Sequence, residues 1–458
     1  MGTYIHELPG WPHFRWSQQT LADRLAAVRH RQGRLLGRLE GFGLKLRDEA
    51  ALQTLTEEIV SSSEIEGEEL DQNQVRSSLA RRLGIDIGAL TPADRAVEGF
   101  VQMMLDATQN YDMPLTAARL FGWHAALFPT GWSGLKKIAV GRWRDAEAGA
   151  MQVVSGPPDR ERVHFEAPDA ARVDEEMTAF LAWIDGGNDI DPVLKAAIAH
   201  LWFVTIHPFE DGNGRIARAI ADMMLARSEK SAQRFYSISA QIRKERGKYY
   251  DHLEEAQKGD LEITAHLGWF LDCLDRAFDG AEIILADVLR KARFWERHAD
   301  ASLNARQRLV INRLLDGFEG KLTSSKWAKL TRTSQDTAAR DIDDLVQRSI
   351  LVKEPGRGRS TSYRLIVTPA DALGVIADYA RAYAHMFVRN GTAMLSPEET
   401  DNRKADIEKI AAEIDALAGS PEKIVCRDFE PLLEKLHKAG FFPDDQLIAA
   451  FAQAAAQK

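Results

Sequence analysis

Residues 191–227 constrain the fold most, because they hold two helical patterns separated by a short polar loop. Asp191 followed by Pro192 is typical of a helix start, since the carboxylate accepts hydrogen bonds from free backbone N–H groups and proline suits the first turn. Apolar residues recur at helical spacing over 194–205 and again over 216–224, on either side of the loop PFEDGN. The sequence therefore predicts a buried helix, a polar loop and a second helix.

The start of the second helix has the features of an anion site. Residues 212–214, Gly-Asn-Gly, leave backbone N–H groups uncovered at a helix N-terminus, where the helix dipole favours negative charge. Arg215 and Arg218 lie three residues apart, so both can bind phosphate oxygens from one face of the helix. His207 is a candidate general base at neutral pH, and Asp211 supplies the carboxylate that an Mg²⁺ ion bridging phosphates prefers. Together these groups indicate nucleotide chemistry.

The sequence HPFEDGNGRIAR at 207–218 resembles the Fic motif, His-x-Phe-x-Asp/Glu-Gly-Asn-Gly-Arg-x-x-Arg, at every specified position. The resemblance implies a protein adenylyltransferase, in which His207 takes the proton from a target Tyr, Thr or Ser hydroxyl that then attacks the α-phosphate of ATP. It also implies that Asp211 holds Mg²⁺, that Arg218 binds the γ-phosphate and that Phe209 anchors the loop in the core. The other phosphate-binding residues that it implies are Gly212, Asn213, Gly214 and Arg215.

Further segments are similar to parts of the same family. GRWR at 141–144 and a hairpin expected over 151–165 resemble the Fic flap, along which a protein target binds as an added strand; an ordinary surface hairpin is the alternative. Tyr249 and Tyr250 resemble the segment beside the nucleotide base, and an aromatic core pair is the alternative. His200 is expected to be a buried structural residue.

An inhibitory segment is expected upstream of this core. SSEIEG at 62–67 resembles the motif Ser/Thr-x-x-x-Glu-Gly/Asn, found on a helix that precedes many Fic cores, with Ser62 and Glu66 on one helical face. The resemblance implies that Glu66 pairs with Arg218 and leaves ATP bound in an unproductive pose, since one guanidinium cannot bind a carboxylate and a phosphate at once. The alternative is structural: Ser63-x-x-Glu66 as a capping box, with Gly67 ending a helix.

Residues 303–365 resemble a winged helix, with 334–348 as the recognition helix and 356–360 as the wing. The side chains that would reach DNA phosphates are Lys326, Lys329, Arg332, Arg340, Arg357, Arg359 and Arg364. The negative charges that oppose DNA binding are Asp336, Asp341, Asp343 and Asp344. DNA binding and a protein-interaction role therefore stay equally open.

Helical spacing prevails along the chain, so the predicted fold class is mainly α. The expected architecture is a Fic helical core with a β-hairpin flap, preceded by a helical inhibitory segment and followed by a winged helix and a helical tail. The expected domains are an N-terminal helical domain at 1–92, the Fic catalytic domain at 93–295, the winged helix at 296–369 and the helical C-terminal region at 370–458.

Composition narrows the class of protein further. The 458 residues are 45% apolar and 28% charged, which is typical of several globular domains. A basic start followed by an apolar run is absent from the first residues, and the chain has no stretch of about 20 apolar residues, so we expect a cytoplasmic protein without a membrane partner. A net charge of -9 argues against a protein that coats nucleic acid along its whole length. Cys273 and Cys426 form no disulfide or zinc motif.

Three functions stay open at the level of sequence. The first is AMP transfer to a protein hydroxyl, inhibited by Glu66. The second is removal of AMP from a modified protein at the same loop, where Glu66 would align a water molecule. The third is a DNA-binding winged-helix regulator whose Fic core senses a nucleotide, which the presence of His207 disfavours because a sensor needs no base. A homodimer is expected by analogy with the family.

Overall fold

The fold is mainly helical, as predicted. A computed structural model describes residues 4–40, 42–88, 90–145, 150–155, 160, 162–187, 189–315, 318, 320–354, 361–366, 397–418 and 434–435. The helices among them are α1 Gln18–Glu40, α2 Leu44–Ile65, α3 Gln72–Leu83, α4 Arg95–Gln109, α5 Ala117–Leu127, α6 Val173–Asp185, α7 Pro192–Ile206, α8 Asn213–Glu229, α9 Ile238–Lys244, α10 Arg246–Gln257, α11 Thr264–Arg297, α12 Ala305–Leu315, α13 Ser324–Thr331, α14 Gln335–Gln347 and α15 Pro397–Ala418. The strands are β1 Trp132–Ser133, β2 Lys136–Lys137, β3 Gln152–Ser155, β4 Arg162–Glu166, β5 Leu351–Lys353 and β6 Tyr363–Leu365.

The chain divides into two compact units, Met1–Ala281 and Glu282–Lys458. The first unit contains the predicted inhibitory segment and the predicted catalytic loop, and the second contains the region predicted to be a winged helix. The finer division into four domains stays a prediction.

The predicted helix, loop and helix are present in the first unit. α7 begins where the Asp191 carboxylate accepts a hydrogen bond from the N–H of Val193, with Pro192 in the first turn. Every residue from Val193 to Ile206 is buried. α8 begins after Gly212, whose φ of 79° lies in the left-handed region that glycine adopts without strain. Because α7 packs against α8, the polar loop is held between two buried helices.

A Schellman turn ends α2. Gly67 has a φ of 84°, its N–H donates to the Glu64 carbonyl at 3.0 Å, and the N–H of Glu68 donates to the Ser63 carbonyl at 3.1 Å. Gly67 therefore does end a helix, whereas the capping-box alternative is wrong, because Ser63 lies inside α2 rather than at its start. The turn places Glu66 immediately before the glycine and Glu68 immediately after it.

The predicted hairpin at the flap position is present as β3 and β4. The two strands pair antiparallel, and Ser155 lies opposite Arg162. The tip of this hairpin, 156–159 and 161, lies outside the described residues. β1 and β2 form a shorter antiparallel hairpin, which was not predicted from the sequence.

Within the second unit, the described part of 303–365 has the predicted order: α12, α13 and α14, then β5 paired antiparallel with β6. Trp327 is fully buried in its core among apolar residues of α12 and α14. The predicted wing at 356–360, including Arg357 and Arg359, lies outside the described residues, so the winged-helix assignment stays a prediction. Of the predicted helical tail, α15 is described, as are residues 434–435.

In the parts of the chain that the structure describes, no helix is both long enough and apolar enough to cross a membrane. Cys273 is buried as a free thiol, and burial raises its pKa well above the usual range. Cys426 lies outside the described residues.

Candidate active site

His207 stands at the C-terminal end of α7, where its φ of 52° turns the chain out of the helix. Its Nδ1 lies 3.2 Å from the Val204 carbonyl oxygen. Because a carbonyl oxygen only accepts hydrogen bonds, Nδ1 carries the proton and Nε2 keeps a lone pair. Burial lowers the pKa of His207 below its usual value, so the ring is neutral at pH 7. The predicted base therefore has a ring nitrogen that can accept a proton.

Arg144 fixes the backbone around His207. Its Nε donates to the His207 carbonyl at 2.8 Å, and its backbone N–H donates to the Pro208 carbonyl at 2.8 Å. Its Nη2 donates to the carbonyl of Pro168, two residues after β4. The side chain is buried, at 3% exposure, so these carbonyl groups take the place of water around the guanidinium. The sequence placed Arg144 in a flap signature but did not predict this contact.

Phe209 anchors the loop in the core, as predicted, and is fully buried. Its ring stacks on that of His124, with the centroids 4.2 Å apart and the planes 8° from parallel. The Asn213 side chain accepts from the Phe209 N–H at 3.0 Å and donates to the Phe209 carbonyl at 2.9 Å. Since both ends of the amide are occupied, the phosphate contact predicted for Asn213 would be made by its backbone N–H.

His124 supports the loop from α5, and nothing in the sequence singled it out. Its Nδ1 accepts from the N–H of Gly141 at 3.2 Å, so Nε2 carries the proton and donates to the Asp211 carbonyl at 3.2 Å. Burial lowers the pKa of His124 to about 4, so this tautomer stays neutral at physiological pH. His124 is therefore a positioning residue for the loop.

The Asp211 carboxylate is half-exposed at the mouth of the loop. Ser133, on β1, donates to one of its oxygens, and the N–H of Gly212 donates to the other at 2.5 Å. Arg215 Nη2 lies 3.8 Å from that second oxygen. The described residues contain no group of three or more His, Cys, Asp or Glu side chains arranged to hold a metal ion by themselves. One accessible carboxylate fits Mg²⁺, which takes few protein carboxylates and completes its shell with phosphate and water.

Arg218 is bound by the predicted inhibitory segment. Its guanidinium is 1% exposed, and Nε donates to Ser62 Oγ at 2.8 Å. Nη2 donates to the Ser62 carbonyl at 2.7 Å and to Glu66 Oε1 at 2.8 Å. Nη1 is buried without a hydrogen-bond partner among the described residues. Glu66 thus meets Arg218, as the resemblance implied, and Ser62, predicted on the same helical face, binds the same guanidinium.

Glu66 also covers the start of α8. A Cβ atom placed on Gly214 would lie 2.1 Å from Glu66 Oε1, which means that the carboxylate rests against the first turn of the helix. The predicted phosphate site and the Glu66 carboxylate therefore adjoin each other.

A second carboxylate of the same segment binds the other motif arginine. Arg215 is 5% exposed, and its Nη1 donates to Glu68 Oε2, beyond the Schellman turn. The guanidinium also lies over the Phe128 ring, 5.1 Å from the centroid. This contact was not predicted from the sequence, although Glu68 lies only two positions after Glu66.

The two tyrosines of α10 differ in exposure. Tyr249 is 2% exposed, and its hydroxyl lies 3.1 Å from His200 Nε2. The aromatic-core alternative describes this residue in the structure. Tyr250 is 37% exposed, and its hydroxyl donates to the Ile65 carbonyl at 3.3 Å, so a role beside a nucleotide stays a prediction for Tyr250. His200 is buried, as predicted.

Two families match parts of the chain. The Fic/DOC family matches residues 114–225, and a family described as a domain of unknown function, DUF4172, matches residues 4–85. The chain carries a Fic domain. The loop at 207–218 lies within the Fic domain, whereas Glu66 and Glu68 lie within the other matched segment.

Curated relatives of the Fic domain are named protein adenylyltransferase Fic. The relative from Culex quinquefasciatus is 35% identical over 105 residues, which are 22% of this chain and 19% of that protein. The relative from Drosophila melanogaster is 33% identical over 105 residues, covering 22% and 20%. The match thus spans about a fifth of the length of these relatives. A solved Fic family protein from Desulfovibrio desulfuricans G20 aligns with 76% of this chain and 95% of its own, at 22% identity and a TM-score of 0.42.

Proposed function

We propose that this chain transfers AMP from ATP to a hydroxyl group of a protein, with His207 as the base. The proposal rests on the position of a neutral His207, whose Nε2 carries no proton, one loop before a helix N-terminus that holds Arg215 and Arg218. A base and a phosphate site within twelve residues are what nucleotidyl transfer to a hydroxyl requires.

In the proposed reaction, His207 Nε2 accepts the proton of the target hydroxyl as its oxygen bonds to the α-phosphorus. The bond between that phosphorus and the bridging oxygen breaks, and pyrophosphate leaves. Backbone N–H groups of 212–214 and the guanidinium of Arg215 stabilise the phosphate oxygens, and Arg218 binds the γ-phosphate. Asp211 would hold Mg²⁺, which neutralises phosphate charge when bound.

The flap is the proposed binding site for the protein target. Val154 and Val163 are 43% and 39% exposed on β3 and β4, although they are apolar. Among the residues that the structure describes, the hairpin is a two-stranded sheet, so a strand edge there can pair with an extended segment of another protein. Arg144, in the flap signature, binds both the Pro168 carbonyl just after β4 and the His207 backbone, and this link supports delivery of a target hydroxyl to the base.

Glu66 is the proposed inhibitor of the reaction. It occupies Arg218, and it lies against Gly214 where the phosphates would enter. A carboxylate there competes with the γ-phosphate for the same guanidinium and repels its charge. Removal of AMP from a modified protein uses the same loop, with Glu66 orienting a water molecule, and stays the alternative reaction.

A second candidate function, DNA binding by the second unit, gains support from its ion pairs. Asp341 is bound by Arg306 at 2.7 and 2.9 Å, and Asp344 is bound by Arg348 at 2.9 Å. Two of the four carboxylates that oppose DNA binding are therefore neutralised within the unit. Loss of binding to a DNA duplex in the Arg340→Glu variant would test this candidate.

The proposed transfer is tested with ATP labelled at the α-phosphate. Wild-type protein, Glu66→Gly and Glu66→Gly/His207→Ala are each incubated with labelled ATP, Mg²⁺ and a cell lysate. Strong labelling of protein by Glu66→Gly, weak labelling by wild type and none by the double variant is the expected result. Absence of label from all three, with ATP binding demonstrated, would contradict AMP transfer and favour AMP removal or nucleotide sensing.

A further inference from the structure

The hairpin of β1 and β2 carries two exposed apolar side chains beside the catalytic loop. Among the residues that the structure describes, Leu135 is the most exposed large apolar side chain, at 98%, and Trp132 is 50% exposed. Gly134, with a φ of 53°, begins the two-residue turn between the strands, so Leu135 lies at the tip. A single exposed apolar residue is common on protein surfaces, whereas apolar residues grouped on one element indicate an interaction surface.

The hairpin is bound to the two acidic residues of the loop. Ser133 donates to Asp211, and Lys136 Nζ lies 3.4 Å from Glu210 Oε2. The N–H of Ala139, just after β2, donates to Glu210 Oε1 at 3.0 Å. Glu210 occupies a position that the motif leaves unspecified, so the motif does not account for these contacts. They hold the hairpin in a fixed place at the mouth of the loop.

The two faces of the hairpin differ in what they contact. Trp132 lies opposite Lys137, and Ser133 lies opposite Lys136. Successive side chains of a strand point to opposite faces, so Ser133 and Lys136 share the face that contacts the loop. Trp132 and Lys137 share the other face, and both are exposed. This outer face therefore presents an indole ring and an ammonium group to solvent, with Leu135 at the tip.

We propose that Trp132, Leu135 and Lys137 form a docking surface for an acidic segment of the protein that receives AMP. The inference deepens the proposed AMP transfer and rests on it. A rigidly held tryptophan is the kind of side chain that contributes most of the binding energy at protein interfaces. A lysine beside it attracts carboxylates and selects against basic partners.

A protein that reaches His207 also reaches the hairpin. Glu210 and Asp211 follow His207 by three and four positions, so they lie at most about 14 Å from it along the chain. A specific interface covers about 800 Å² on each partner, which is a patch about 30 Å across. A target surface centred on the loop therefore extends over the hairpin.

Charge favours an acidic protein segment over a lipid surface. The whole chain has a net charge of -9, whereas residues 132–137 contain two lysines and no acidic residue. An acidic segment is small enough to be attracted by this local positive charge alone. An anionic membrane would repel the remainder of the chain, and two apolar side chains would bury little area in it.

The test measures AMP transfer to the proteins of a lysate that has been separated by ion exchange into an acidic and a basic fraction. Every protein tested carries Glu66→Gly, and each fraction is titrated in the presence of Mg²⁺ and ATP labelled at the α-phosphate. The variants of the docking surface are Trp132→Ala, Leu135→Ala and Lys137→Glu. The matched control is Met113→Ala, because Met113 is an apolar residue that is 56% exposed between α4 and α5.

We expect Trp132→Ala to raise the concentration of acidic fraction that gives half-maximal labelling by about 30-fold, as loss of an aromatic anchor does. Leu135→Ala and Lys137→Glu should each raise it by about threefold or more, and Lys137→Glu should also reduce the effect of salt. The maximal rate and the affinity for ATP, measured by calorimetry, should stay unchanged, because none of the three side chains contacts the loop. Met113→Ala should equal the parent protein.

Three results would overturn the inference. The first is unchanged labelling of the acidic fraction by Lys137→Glu and Leu135→Ala, whose exposed side chains can be replaced even if Trp132→Ala unfolds in circular dichroism. The second is an equal loss of labelling in the basic fraction. The third is binding of the parent protein to vesicles of phosphatidylcholine and phosphatidylglycerol that Leu135→Ala abolishes, which would assign the surface to lipid.

Failure of this inference is distinguishable from failure of the proposed function. If the parent protein labels lysate proteins and the hairpin variants label them equally well, the inference is overturned and AMP transfer stands. If the parent protein labels none and releases no pyrophosphate, both are overturned.

Discussion

We expect Glu66 and Glu68, the two carboxylates at the end of α2, to inhibit AMP transfer to different extents. Replacing each of them by glutamine measures the difference. Glu66 is 30% exposed and binds a guanidinium that is 1% exposed, whereas Glu68 is 48% exposed and binds one that is 5% exposed. A hydrogen bond to a charged group contributes about 1.5–3 kcal/mol, so Glu66→Gln should raise kcat/KM for ATP by about 10- to 150-fold. A half-exposed ion pair contributes about 0.2–1 kcal/mol, so Glu68→Gln should raise it by about 1.4- to 5-fold.

The assay is the rate of AMP transfer to protein as a function of ATP concentration. Glu64→Gln is the matched control, because Glu64 belongs to the same helix end but pairs with Arg243 instead of a motif arginine. Its kcat/KM should equal that of wild type. An effect of Glu68→Gln as large as that of Glu66→Gln, or an equal rise in Glu64→Gln, would refute the competition argument, since the gain would then come from general loosening of α2.

Three further predictions concern the supports of the site. Gly67→Ala forces a side chain into the left-handed region at φ 84°, so it should destabilise the protein by about 1–2 kcal/mol in thermal unfolding and raise the basal rate of AMP transfer. The control Gly37→Ala, on α1, should not destabilise the protein. The pKa of His124 is about 4 in the folded protein and about 6.5 in the unfolded chain, so the unfolded chain binds more protons between these pH values. The free energy of unfolding should therefore fall by about 1.4 kcal/mol for each pH unit as the pH decreases through that range. The fall should be smaller in His124→Asn. Arg144→Lys should lower kcat by about 100-fold with little change in ATP affinity by calorimetry, because lysine cannot hold the same carbonyl groups and His207 shifts.

The local features of the site could be predicted from the sequence because they arise from neighbouring residues. α7 begins with Asp191, which binds the N–H of Val193 two residues away, and with Pro192 in the first turn. The polar loop and the start of α8 follow α7 directly in the sequence. The pairing of Glu66 with Arg218 spans the two matched families, and only the resemblance of 62–67 to a known motif suggested it.

The supports of the site could not be predicted, because they depend on contacts between residues far apart in the chain. His124 reaches Asp211 across 87 positions, and Arg144 reaches His207 across 63. Histidine and arginine occur at many places in this sequence, and neither local pattern distinguishes these two. The burial of Tyr249 and its contact with His200 likewise depend on residues far apart in the chain, and the nucleotide contact suggested by its resemblance stays a prediction.

AMP transfer by His207 can be distinguished from other phosphate chemistry by comparing ATP labelled at the α-phosphate with ATP labelled at the γ-phosphate. Glu66→Gly is incubated with each, and the label on protein and the release of pyrophosphate are followed together. We expect protein to acquire label from the α position alone, at the rate at which pyrophosphate is released, and His207→Ala to abolish both. Label from the γ position, or transfer that persists without His207, would contradict AMP transfer by His207.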